Sequence, residues 1–188
     1  MNWLDKYKEN LGIRFSTFKK LFEIAEKREL KYIVETGTAR GKEKIYYMKP
    51  RINWKDGMST VLFAEYSNMI EGTFWSCDID NKNIFNAYKF TEKFNYKVNF
   101  AVSDSLIFLR DLSMKIDILY LDSLDGNLSG SSEHQLKEAK LSINKLKENG
   151  LILLDDKGGK TNLSIPYFNE NGWKIIFENE QQVLLSKI

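Results

Sequence analysis

Five successive apolar runs of the 188-residue chain end in acidic residues. Glu35 closes YIVE, Asp78 and Asp80 close WSCDID, and Asp104 closes FAVSD. Asp122 closes ILYLD, and Asp155 and Asp156 close LILLDD. An ionised carboxylate accepts hydrogen bonds and donates none, so such a row suits a ligand rich in hydroxyls, amines or cationic centres. One such ending is chance; five in succession mark a site. Around the first run the spacing is E-x-G-x-x-x-G, with Glu35, Gly37, Thr38 and Gly41, and the glycines admit a ligand close to the backbone. Asp78, with Ile79 beside it, suits a ribose diol, as acids at second-strand ends do in dinucleotide folds. Asp104 suits an exocyclic amine such as that of adenine, with the Ser105 hydroxyl next to it. The first three endings therefore point to an adenosine-bearing ligand. Glu35 would repel a diphosphate, and the G-x-G-x-x-G turn that seats a pyrophosphate on a helix N-terminus is absent. A ligand with a positive centre and an ammonium group fits better.

The elements that must position these residues follow from the hydrophobic period. Segment 13–30 places Phe15, Phe18, Leu21, Phe22, Ala25 and Leu30 at helical spacing. A strand is expected over 31–37 and a helix over 59–71, with Ser59 as its N-cap and Gly72 as its stop. Strands over 74–80, 97–104, 115–123 and 150–156 then alternate with helices over 81–94, 105–112 and about 132–148. That alternation specifies a parallel sheet covered on both faces, with ligands outside the carboxyl ends of its strands. Segments 173–179 and 181–188 are also β-type, and a connection so short can only make an antiparallel hairpin.

Hydrophobic residues make up 43% and charged residues 29% of the chain, ordinary values for a globular protein. The formal charge of +2 comes from lysines scattered among nearly as many acids, so no nucleic-acid partner is expected. No apolar run reaches the roughly 20 residues of a membrane span. The opening MNWLDKYKEN lacks the apolar core of a signal peptide, and the cytoplasm is the expected location. The single cysteine, Cys77, excludes an intrachain disulfide and a cysteine-based zinc cluster. Inside its strand it reads as a buried, inert thiol. Without an internal repeat or linker, one domain is expected over 1–188, opening with a helical segment over 1–30.

From Tyr32 to Ile188 the chain resembles class I S-adenosylmethionine-dependent methyltransferases. VETGTARG resembles their glycine-rich first motif, CDID the acidic second, VSDS the adenine-contacting turn, and LKENGLILLDD the entry to the fifth strand. The resemblance implies an α/β, Rossmann-like fold with a seven-stranded, mostly parallel sheet in the order 3-2-1-4-5-7-6. It also implies that Glu35, Gly37, Thr38, Gly41, Asp78, Ile79, Asp104, Ser105 and Asp122 bind S-adenosylmethionine. Within the family the likeness is closest to small-molecule O-methyltransferases of the catechol type, and to relatives associated with sugar or natural-product pathways. That likeness implies a divalent ion held by Asp122, Asp155 and Asp156, where oxygen-only ligands suit Mg²⁺ or Mn²⁺. The catechol type carries a lysine base three residues after the fourth-strand acid; here that position is Asp125. Asp125 is then a base or a further ligand, or LDSLDGNLSGSS is a solvated loop. His134, the only histidine, is a candidate base or metal ligand, and Lys157 either holds an anionic acceptor or neutralises the acids before it.

Between Gly41 and Ser59 the chain departs from the pattern, because the expected helix is delayed by an insertion over 42–58. Its Tyr46, Tyr47 and Trp54, interleaved with Lys44, Lys49 and Arg51, suit a lid over a small acceptor carrying sugar or anionic groups. A surface loop or a homodimer contact is the other reading. Methyl transfer to an acceptor oxygen is the leading expectation for the whole. A nicotinamide-dependent oxidoreductase and a non-catalytic binding domain on the same fold are the alternatives.

Overall fold

The apolar runs form the strands their patterns predict, and the acids fall in the last residues of the strands or in the turns just beyond them. The computed structural model describes residues 2–43, 51–54, 57–94 and 97–187. Its main sheet comprises β1 (Tyr32–Thr36), β2 (Thr73–Asp78), β3 (Val98–Val102), β4 (Ile116–Leu121), β5 (Leu146–Leu154), β6 (Trp173–Glu178) and β7 (Val183–Lys187). The spatial order is 3-2-1-4-5-7-6, as expected. β1 pairs in parallel with β2 and β4, and the outer pairs β2–β3 and β4–β5 are also parallel. Only β7 runs the other way, between β5 and β6. The order reverses between β1 and β4, which opens a crevice at their carboxyl ends.

The helices longer than a single turn are α1 (Arg14–Lys27), α2 (Ser59–Met69), α3 (Asn81–Thr91), α4 (Ser105–Asp111), α5 (Ser131–Ser142) and α6 (Thr161–Glu170). Successive strand residues point to opposite faces, so each central strand feeds two cores. Ile33, Ile118, Tyr120, Leu151 and Leu153 pack under α1, α2 and α3. Val34, Leu119, Leu121, Ile152 and Leu154 pack under α4, α5 and α6. The first core is aromatic: Phe18 and Phe22 of α1, Phe63 of α2 and Tyr120 of β4 lie with ring centroids 5.6–6.2 Å apart, within the range of favourable edge and tilted contacts. Cys77 is a buried free thiol, and burial raises its pKa, in keeping with an inert role.

Three elements differ from the sequence reading. The helix expected to reach Glu148 stops at Ser142, and a single turn over Ile143–Lys145 delivers the chain to β5 at Leu146. Leu146 is buried and pairs with Ile116, so ladder pairing overrides the helical propensity of Lys147 and Glu148. β5 also ends at Leu154, leaving Asp155 and Asp156 in the following turn. Helix α6 carries no clear apolar period and holds Pro166 inside it, yet it buries Phe168 against the sheet. Of the insertion, Lys42–Glu43 and Arg51–Ile52 pair as a two-residue antiparallel ribbon, and the Trp54 ring lies tilted against the Tyr7 ring at 5.1 Å. The lid residues Lys44, Tyr46, Tyr47 and Lys49 lie outside the described residues. Among the described residues, no helix is long and apolar enough to cross a membrane.

Candidate active site

The site is built around Glu35, which is fully buried at the end of β1. Sheet register sets Ser76 of β2 beside it, and the Ser76 hydroxyl donates to its carboxylate at 2.7 Å. Two more hydroxyls come from the first turn of α2, Ser59 at 2.6 Å and Thr60 at 2.7 Å. Ser59 is therefore not the N-cap that the sequence predicts; Met58 holds that position without a side-chain cap. Burial pushes the Glu35 pKa up to about 8, against the pull of the three hydroxyls. Thr60 Oγ1 also accepts from the Ala39 N–H at 3.0 Å. Glu35 thus faces the interior and ties β1, β2 and α2 to the glycine turn.

Gly37 is essential to that turn. Its φ is +80°, and a Cβ there would lie 2.4 Å from the Asp122 carbonyl oxygen, so β1 and β4 approach as closely as backbone allows. Gly41 behaves differently from its expectation: a Cβ there would strike the Phe90 ring at 2.3 Å. Its freedom serves packing against α3 rather than a ligand. Asp78 accepts from the backbone N–H of Asp80 at 2.8 Å and, more weakly, from Thr38 at 3.4 Å. Asp104 caps α4 by accepting from Leu106 and Ile107. Behind it Ser105 Oγ and His134 Nε2 share a hydrogen bond of 2.9 Å, with the buried Glu138 carboxylate 3.7 Å from the same nitrogen.

Among the described residues, three cavities larger than 100 Å³ run along these strand ends. One of about 130 Å³ is lined by Asp78, Ile79, Asp104, Ser105 and His134. A second, of about 170 Å³, shares Gly37, Asp78 and Ile79 with it and extends to Thr38, Asp122 and Asp125. The third, about 500 Å³, shares Asp122 and Asp125 with the second and reaches Asp155, Asp156 and Lys157. Asp122 stands at the junction. His134, a candidate base or metal ligand in the sequence, lines the first cavity and not the one that holds Asp155 and Asp156. Lys157 lines the large cavity and pairs with Glu178 at 3.1 Å instead of neutralising the acids before it. Asp125 is gripped by Arg40 at 2.6 Å, which lowers its pKa and weakens it as a base.

Carboxylate oxygens of Asp122, Asp155 and Asp156 lie within 4.8 Å of one another, the spacing that a shared cation demands. Two side chains of this chain supply cations. The Arg14 guanidinium, from the first turn of α1, forks onto Asp155 with both bonds at 3.0 Å. The Lys160 ammonium bridges Asp122 at 2.5 Å and Asp156 at 3.0 Å. Burial, and then the Asp155 charge, pushes the Asp122 pKa up to about 7, with Lys160 opposing. A divalent ion does not fit this cluster as it stands, because each carboxylate already faces a positive side chain. Sequence reasoning missed Arg14, Lys160 and Arg40. Lys160 had a local signal, the i,i+4 spacing from Asp156; Arg14 had none, being 141 residues from its partner.

No family model and no curated protein matches the sequence. Solved structures do match the fold. The SAH-bound methyltransferase PaMTH1 of Podospora anserina superposes with a TM-score of 0.67 at 12% identity, over 100% of this chain and 85% of its own. The N-methyltransferase NodS of Bradyrhizobium japonicum WM9 gives 0.61 at 12% identity, over 92% and 94%. An rRNA methylase of Streptococcus thermophilus gives 0.61 at 11%, over 90% and 95%. These likenesses run nearly end to end and agree with a sheet that reverses its order between β1 and β4 and closes on a terminal hairpin. The chain has the fold of the class I S-adenosylmethionine-dependent methyltransferases.

Proposed function

We propose that the chain transfers a methyl group from S-adenosylmethionine to an oxygen of a small polar acceptor. The observation that carries this reading is the continuity of the three cavities, which meet at Gly37, Asp78 and Asp122. The smallest suits an adenine: Ile79 is 74% exposed at its mouth and offers an apolar face, while Asp104 and Ser105 offer polar edges. Asp78 suits the ribose diol, and the Gly37–Thr38 turn lets the methionine portion lie against backbone. The donor supplies a methyl on a sulfonium, open to in-line displacement. The protein's part is to bring the acceptor atom into line with it, which can itself account for much of the acceleration.

The large cavity suits the acceptor. Among the described residues, five acids against three bases line it, a poor surface for a phosphate backbone and a good one for hydroxyls that donate to carboxylates. Methyltransferases of this fold include N- and rRNA-modifying proteins, so the choice of a small oxygen acceptor rests on this lining. Asp122, at the junction, is placed to accept the acceptor's hydrogen bond and take its proton.

Calorimetry with S-adenosylmethionine and S-adenosylhomocysteine tests the donor, and a labelled-methyl assay over phenols, sugars, amines and an rRNA fragment tests the acceptor. Both donor ligands should bind, and label should pass to a hydroxyl compound. Asp122→Asn should lose roughly 10²–10⁴-fold in turnover, the usual worth of a positioned base, while still binding S-adenosylhomocysteine. Absence of donor binding at millimolar concentration would sink the proposal, and label passing only to amines or RNA would move the acceptor.

A further inference from the structure

We propose that Lys160, seconded by Arg14, is the resident cation of the Asp122–Asp155–Asp156 cluster, standing where a divalent ion would otherwise sit, so that the site is built to work without metal. Three carboxylates this close require positive charge between them, and the chain provides it in fixed geometry. The Lys160 side chain is only 3% exposed, and an ammonium is buried that deeply only when it is paired. Its partners are Asp122, just after β4, and Asp156, in the turn after β5.

The turn is shaped to deliver it. Asp156 adopts a left-handed φ of 53°, and its carbonyl accepts from the backbone N–H groups of Gly159 and Lys160 at 3.0 and 3.1 Å. The chain therefore curls back, and Lys160 returns to the carboxylates four residues after leaving them. Such strain in a residue other than glycine persists where surrounding structure imposes it.

Further donors also face the carboxylates. Arg14 occupies both oxygens of Asp155, a bidentate geometry that a guanidinium holds better than any other side chain. Tyr120 donates to Asp122 at 3.3 Å, and the Gly126 N–H donates to Asp156 at 3.2 Å. A dication entering here would meet two fixed positive charges at close range. Lys160 is a positioning residue: it faces the carboxylates from behind the large cavity, and what the cavity sees is Asp122 held in place.

Mn²⁺ titration followed by electron paramagnetic resonance reads the cluster whether or not the chain transfers methyl groups. Wild-type protein should show no saturable Mn²⁺ binding below millimolar concentration. Lys160→Gln should uncover Asp122 and Asp156 and bind Mn²⁺ roughly tenfold more tightly or better, on the scale by which neighbouring groups tune metal sites. Lys160→Arg should stay like wild type, and Asp155→Asn added to Lys160→Gln should remove the gain. Arg14→Gln, at a partly exposed position, gives a second route to the same gain if the lysine variant does not fold. Saturable micromolar binding by wild type overturns the proposal. So does a folded Lys160→Gln, shown by circular dichroism, that gains no affinity.

Discussion

Glu35 sits furthest from its ordinary chemistry. Its carboxylate, with no cation in contact among the described residues, is held by three hydroxyls in a fully buried space, and its pKa climbs from 4.5 to about 8. The folded chain then binds this proton more tightly than the unfolded chain does, so stability falls as pH rises between those values. Glu35's contribution is complete below 4.5 and is lost as pH passes about 8. The change amounts to a few kcal/mol. Glu35→Gln keeps the shape and removes this titration, so its stability should decline less steeply than the wild type's over that interval, the remaining slope coming from other buried carboxyls such as Asp122. Urea unfolding midpoints at both ends of the interval measure this, and parallel slopes for the two proteins would refute it. In the sequence this residue read as a ligand for a cationic group. The hydroxyls that enclose it come from α2 and β2, and strand register, invisible to spacing along the chain, brings Ser76 beside it.

At the scale of elements, α1 contributes more than a packed face. Its buried Thr17 hydroxyl donates to Gln182 Oε1 of the turn entering β7. Gln182 Nε2 donates to Tyr120 Oη at 3.3 Å, and Tyr120 donates to Asp122 at 3.3 Å. A relay of polar groups thus links the N-terminal helix to the junction of the cavities. Buried donors and acceptors are costly to leave unmade, so Thr17→Val should destabilise the fold by about 1–3 kcal/mol through the orphaned Gln182 oxygen. Thr17→Val with Gln182→Leu should cost less than the sum of the single changes, because both partners leave together. A double-mutant cycle by urea unfolding measures the coupling, and strict additivity would show that the relay carries none. The period of α1 was legible because Phe18, Leu21, Phe22 and Ala25 repeat on one face. Thr17 and Arg14 follow no apolar pattern, and their partners lie more than a hundred residues away.

Across the whole molecule, the site exists only where separate parts of the sheet meet. β2 and β3 bring the acids that suit an adenosine, β4 and β5 bring the carboxylate cluster, and α1 and the turn before α6 bring its cations. The strand-end acids were legible in the sequence because apolar runs stop abruptly there; the cations were not, because charge pairing across the fold leaves no period. A ligand spanning β1 to β4 would hold both halves of the sheet together, so its binding should appear as global stability. At a hundred times its dissociation constant a ligand adds about 2.7 kcal/mol, which for a chain of this size raises the melting temperature by roughly 5–10 °C. S-adenosylhomocysteine should produce such a shift, and NADH should produce none. Asp78→Ala should abolish the shift while leaving the unliganded melting temperature little changed, because Asp78 is partly exposed and its one bond beyond its own turn and the start of α3 is the long 3.4 Å contact from Thr38. A shift with NADH and none with S-adenosylhomocysteine would hand the crevice to the oxidoreductase reading. Equal shifts in wild type and Asp78→Ala would move the ligand away from β2.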